Sequence, residues 1–212
     1  PQALQAAALL SRIPWVRGVL ITGALSKRSA TPQSDVDFLL LIEPQKIWTT
    51  KSLLQGFRKL LPQKTREFFC TNYLLSTENL ALDERNLYTA MELVTAIPLY
   101  GPQLCARLLQ ENSWAARFIP GFSNACLRAE MAHPCPGAPL LEKLPLPPSL
   151  DQKLLSVWDT YWNQKYAWLP EKTRLQRFKR RPETATNHLH DFQEYVLKEY
   201  ELRTRQVGLS CE

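Results

Sequence analysis

Apolar positions recur along the chain with two alternating periods. Gln2 to Ile13 (QALQAAALLSRI) is rich in alanine and leucine and predicts a helix. Val16 to Gly23 (VRGVLITG) is β-branched and ends at glycine, which predicts a strand. The polar stretch ALSKRSATPQS carries Pro32 and predicts a short helical turn followed by a loop. Asp35 to Glu43 (DVDFLLLIE) predicts a second strand. Its nearly continuous apolar run implies burial on both faces, with helices covering a sheet.

Pro44 stops that strand. Ile47, Leu53, Leu54, Phe57, Leu60 and Leu61 then fall at helical spacing. Arg66 to Leu75 (REFFCTNYLL) predicts a third strand. A helix opening on Asp83 and Glu84 is expected to close around Pro98 to Gly101, with another over PQLCARLLQEN. After Met131 the pattern breaks. Six prolines in the fifteen residues from Pro134 to Pro148 predict an extended connector over 134–149. Two helical segments are expected beyond it. One is Leu150 to Leu169, with Trp158, Trp162 and Trp168, and the other is Glu183 to Gln206. The expected class is therefore α/β: a small mixed sheet with flanking helices over residues 1–115, then a helical C-terminal region over 116–212.

Composition narrows this only modestly. Apolar residues make up 45% of the chain and charged residues 22%, which supplies a packed core and argues against wholesale disorder. The net charge of +6 suits an anionic ligand, although a basic soluble surface alone has the same balance. Five widely spaced cysteines without a CxxC pair argue against a zinc site and for free thiols in a reducing, cytoplasmic setting. The longest apolar run, Val36 to Ile42, is far too short to span a bilayer, so no membrane partner is expected. The chain starts at Pro1 rather than methionine, which leaves open a fragment with a missing N-terminal region or a processed product.

The chemistry concentrates in residues 21–43. Asp35 and Asp37 are two apart, and on a strand they share a face. Adjacent carboxylates repel one another, and a divalent cation removes that cost. A solvated pair at a strand end is the plainer alternative. Gly23 permits close backbone approach, and the following ALSK offers amide N–H groups, the Ser26 hydroxyl and the Lys27 ammonium to a phosphate.

The stretch GALSKRSATPQSDVDFLLLI resembles the signature of the DNA polymerase β-type nucleotidyltransferase superfamily: hydrophobic strand, Gly-Ser or Gly-Gly, variable loop, then Asp-x-Asp in a hydrophobic strand. It is most similar to the minimal bacterial and archaeal members. Gly23, Lys27, Ser34, Asp35 and Asp37 fall on the matching positions without a gap. The resemblance implies the polymerase β-type fold, Mg²⁺ (or Mn²⁺) on Asp35 and Asp37, and a nucleoside triphosphate held by Gly23, Ser26, Lys27 and Ser34. It implies transfer of a nucleoside monophosphate to a hydroxyl of a protein, a small molecule or an RNA.

Three positions depart from the pattern. Ala24 stands where the family has serine, and Arg28 where it often has glycine. Asn72 stands at the centre of the third strand, where active members carry a third carboxylate. An amide cannot act as a base. Glu67 opens the same strand but points to its other face. Glu92 is a surface acid, a third acid, or an anchor for Lys27. A catalytically degenerate nucleotide- or nucleic-acid-binding regulatory module is the alternative reading.

Elsewhere, the run Lys172, Arg174, Arg177, Lys179, Arg180 and Arg181 reads either as a solvated face or as a contact for nucleic-acid phosphates. His133, His188 and His190 form no ligand cluster by spacing, although His188 could face the cleft. Trp158 and Trp162 are expected to pack between helices.

Overall fold

A computed structural model describes residues 2–31, 34–60, 70–122, 125, 146–187 and 192–207. Glu67, the three histidines, Cys126, Cys135, Cys211 and most of the proline-rich connector fall outside the described residues.

Helix α1 (Gln2–Leu10) leads into β1 (Val16–Thr22), which ends in a single helical turn, α2 (Gly23–Ser26). Strand β2 (Asp37–Ile42) follows, then α3 (Ile47–Leu60) and β3 (Cys70–Ser76). Helix α4 (Leu87–Thr95) opens at Asn86, whose side chain accepts from the Thr89 N–H at 2.9 Å, an N-cap that satisfies an orphan donor. Then come β4 (Ile97–Tyr100), α5 (Pro102–Glu111) and a 3-10 turn (Ser113–Arg117). The C-terminal part holds α6 (Pro148–Lys165), α7 (Glu171–Arg177), β5 (Arg180–Arg181), β6 (Thr184–Thr186) and α8 (Phe192–Gln206).

The six strands form one open mixed sheet in the order β4-β1-β2-β3-β6-β5. β2 and β3 run parallel and every other pair is antiparallel. The run DFLLLI is buried on both faces, as its composition implies. Phe38, Leu40 and Ile42 join a cluster with Leu10, Trp48 and Trp162, beneath α1, α3 and α6. Leu39 and Leu41 face the opposite cluster, with Ala90 of α4 and Leu108 of α5. Each such fully buried side chain contributes about 1.5–3 kcal/mol, so the two clusters hold three layers together. Among the described residues no helix is long and apolar enough to cross a membrane.

Two expectations are corrected. Residues 97–100 are not the end of a helix but edge strand β4, paired with β1. Pro98 is tolerated there because an edge strand leaves one side of its ladder unpaired. The C-terminal region is not wholly helical either. Arg180–Thr186 forms a hairpin around Pro182 and Glu183, and β6 adds to the sheet beside β3. Thr184 and Thr186 are β-branched, which suits this extended pairing.

Helix α6 is tied to α3 by a buried carboxylate. Asp151 accepts from the Thr49 N–H at 2.7 Å and the Thr49 hydroxyl at 2.8 Å. It thus serves, from 102 residues away, as an anion at the N-terminus of α3. Trp162 packs edge-on against Trp48 and Trp158, the inter-helix role its spacing implied.

The basic run is largely consumed by the fold. Lys179 pairs with Glu84, Arg181 with Asp83 at 2.7 Å, and Arg180 with Asp159 at 3.1 Å. The Arg174 guanidinium donates to the Asn163 carbonyl at 3.2 Å. These contacts favour neither a freely solvated face nor an open phosphate-binding stripe.

Candidate functional site

The register of the sheet assembles the site. Antiparallel pairing sets Thr22 opposite Asp37, so the glycine that ends β1 meets the acid that begins β2. Gly23 has φ +67°, in the left-handed region. A Cβ there would lie 2.1 Å from Asp37 Oδ2, so the carboxylate occupies the space a side chain would need. Asp37 opens β2 and is half-buried. Asp35 lies two residues before the strand begins and is exposed.

The turn after Gly23 is braced from within. The Ser26 hydroxyl donates to the Gly23 carbonyl at 2.9 Å and lies 3.4 Å from the Thr95 hydroxyl. Lys27 Nζ donates to the same carbonyl at 3.1 Å and to Glu92 Oε1 at 2.6 Å. Glu92 Oε2 accepts the Gly23 N–H at 3.1 Å. Of the readings the sequence left open for Glu92, the anchor for Lys27 is the one this geometry matches. Both its oxygens are engaged, one by the Lys27 ammonium and one by the Gly23 N–H. An ammonium has three protons, and Lys27 spends two of them in these contacts. Ser34 turns back into its own loop, where its hydroxyl accepts the Thr31 N–H at 2.9 Å. Arg28 adopts φ +58°, a left-handed conformation that the glycine of the resembling motif would take without strain.

Asn72 reaches Asp37 through an irregularity. Between the pairs Asp37–Cys70 and Leu39–Tyr73, β3 carries one residue more than β2. This bulge re-aims the side chain, and Asn72 Nδ2 donates to Asp37 Oδ1 at 2.9 Å. The Cys70 thiol donates to Asn72 Oδ1 at 3.1 Å, which fixes the amide with its NH₂ toward the acid. Burial, followed by the charges of Asp37 and Asp35, pushes the Cys70 thiol up to about 11, so it remains a donor at neutral pH. The third-strand position therefore supplies a hydrogen-bond donor where the resemblance expects a metal ligand.

Charge is unbalanced at this junction. Burial, then the nearby charges of Asp35 and Glu92, push the Asp37 carboxyl up from 3.8 to about 6, against the opposing pull of Asn72 and Lys27. Three carboxylates thus act around a single ammonium. Hard oxygen donors with excess negative charge suit a divalent cation of the Mg²⁺ type. Asp35 and Asp37 are the residues that would hold it. Among the described residues no group of three or more His, Cys, Asp or Glu side chains is placed to bind a metal.

Lys51 is a feature the sequence did not single out. It lies in α3 with 7% of its surface exposed, and its ammonium sits 5.0 Å from the Trp162 ring centroid. Burial lowers it from 10.5 to about 8, a penalty on the order of 3 kcal/mol for keeping the charge at neutral pH. Lys51→Met is expected to raise the midpoint of thermal unfolding at pH 7 by a few °C. The sign is set by proton uptake. Between about pH 8 and 10.5 the unfolded chain holds the Lys51 proton and the folded chain does not, so wild-type stability rises there. The advantage of Lys51→Met should shrink across that window. Melting curves of both proteins from pH 7 to 10 measure it.

No protein-family model, no curated protein and no solved structure matches the chain.

Proposed function

We propose that the chain is a nucleotidyltransferase of the polymerase β type, dependent on Mg²⁺ (or Mn²⁺). It would transfer a nucleoside monophosphate from a nucleoside triphosphate to a hydroxyl of a protein, small-molecule or RNA acceptor. One observation carries the reading: the Asp37 carboxylate fills the space above the left-handed Gly23, while Asp35 and Glu92 leave the junction with surplus negative charge. A hard cation between carboxylate and phosphate oxygens offsets the charge that builds on the phosphates during transfer.

The remaining work falls to the chain. Glu92 fixes the backbone of Gly23 and the position of Lys27, so the turn is held before any ligand arrives. The third proton of Lys27 is left for a phosphate oxygen. Gly23 lets the backbone lie close to the acids, a space that any side chain would fill. Asn72 holds Asp37 in place from β3.

A second reading is supported by the same Asn72 contact. An amide at the third position neither ligates strongly nor takes a proton, so a module that binds nucleotide without transferring it is also chemically coherent. Incubation with α-³²P nucleoside triphosphates, Mg²⁺ or Mn²⁺, and a panel of protein, RNA and small-molecule acceptors separates the two. Label transfer that disappears in the double variant Asp35→Ala/Asp37→Ala supports the transferase. Metal-dependent nucleotide binding with no transfer across the panel supports the module.

A further inference from the structure

On its other side, Asn72 lines a cavity of about 120 Å³ between α3, β3 and α6. Lys51, Arg58 and Lys165 line it, and among the described residues no aspartate or glutamate does. Lys51 and Arg58 are seven apart on α3, two helical turns along one face. Lys165 comes from the end of α6.

Lys51 and Lys165 lie against aromatic faces. Lys51 Nζ lies 5.0 Å from the Trp162 ring centroid and 5.8 Å from that of Trp158. Lys165 Nζ lies 5.4 Å from Tyr161 and 5.3 Å from Tyr166. Ring faces attract a cation but do not neutralise it. Burial lowers the affinity of Lys51 for its proton, and among the described residues no carboxylate offsets it. A second group is also unmet. Asn187 lines the same cavity, and among the described residues its buried Oδ1 has no hydrogen-bond partner. A buried ammonium without a counter-charge and an acceptor without a donor, among the described residues, both suit a ligand that supplies them.

We propose that this cavity binds a phosphate group, with Lys51 as its buried counter-charge, Arg58 and Lys165 contributing from the same walls, and Asn187 accepting from a hydroxyl of the ligand. The cavity, about 120 Å³, is large enough to admit a phosphate group. Charge separates phosphate from carboxylate. A phosphomonoester carries about −1.5 to −2 at neutral pH, a better match to three cations than a single negative charge. The phosphate has two possible sources, a nucleotide or a phosphorylated hydroxyl compound without a base. The aromatic walls would add to binding only if a base stacks on them.

Intrinsic tryptophan fluorescence tests the proposal, because Trp158 and Trp162 line the cavity. Full-length protein is titrated with inorganic phosphate in metal-free buffer containing EDTA, with chloride as the ionic-strength control. Saturable quenching at millimolar phosphate is expected, weakened at least about tenfold in Lys51→Met. Arg58→Gln, at a less buried position, should also weaken it, which guards against a folding defect in the first variant. Asp37→Asn should still bind phosphate, so the result is separate from the metal reading of the acid pair. AMP and ribose 5-phosphate then locate the source. Tighter binding of AMP assigns a nucleotide, and equal binding assigns the phosphorylated hydroxyl compound. No saturable phosphate binding, or equal affinity in Lys51→Met, overturns the proposal. So does binding that is unchanged in Lys51→Met and tightens in Asp37→Asn, where a repelling charge is removed, which would place the anion at the Gly23 turn instead.

Discussion

Gly23→Ala is expected to destabilise the protein by about 2–5 kcal/mol and to abolish ligand binding at the acid pair. Two costs combine. The backbone holds φ +67°, which a side chain adopts only with strain, and the new Cβ would lie 2.1 Å from Asp37 Oδ2. Relief requires either moving the carboxylate or opening the β1–β2 junction, and both dismantle the site. Gly56→Ala is the matched control. Gly56 lies in α3 with nothing within 4 Å of its would-be Cβ, so alanine there should stabilise by about 0.5–1 kcal/mol. Chemical denaturation of the two variants beside wild type checks the contrast. Equal and small effects would mean that the close packing of Gly23 on Asp37 is not a constraint.

Asp37→Asn should move activity and stability in opposite directions. Under the proposed function, nucleotidyl transfer is expected to fall by at least about a hundredfold, because the variant removes a charge from the proposed reacting centre. The thermal midpoint at pH 7 should nevertheless rise. The Asp37 carboxyl titrates near 6 in the fold, above its usual 3.8, so the folded chain holds this proton between those values and the unfolded chain does not. Stability from this group is therefore present in acid and lost as the pH rises through about 6. The gain from asparagine should be largest above pH 6 and shrink toward 3.8. Melting curves from pH 4 to 8, with transfer assays at neutral pH, measure both. A residue retained at a cost in stability is the mark of a site selected for function. A variant less stable at every pH would identify Asp37 as structural support.

The sheet's centre was legible because FLLLI, the run of β2 after Asp37, has no polar face, and only a strand covered on both sides accommodates that pattern. Its edges were harder. Ile97–Tyr100 follows α4 after only Ala96, so helix and strand run together in sequence, and Pro98 reads as a helix stop. The β5–β6 hairpin was hidden by arginines that suggest a solvated face. The charges of Arg180 and Arg181 are met by Asp159 and Asp83, and that of the preceding Lys179 by Glu84, all distant in sequence. At the site, the glycine and the two acids could be read from spacing. Their contact with Asn72 could not, because it depends on a one-residue bulge in β3. The burial of Lys51 was equally hidden, since the tryptophans that cover it lie more than 100 residues later in the chain.

The most direct test of the acid pair as a metal–nucleotide site is calorimetric titration of ATP, GTP, CTP and UTP, with and without Mg²⁺, into wild type and Asp37→Asn. At least one nucleotide is expected to bind wild type only with Mg²⁺, and to bind Asp37→Asn at least about tenfold more weakly. Binding of no nucleotide in the presence of Mg²⁺, or Mg²⁺-dependent binding that survives unchanged in Asp37→Asn, would contradict it.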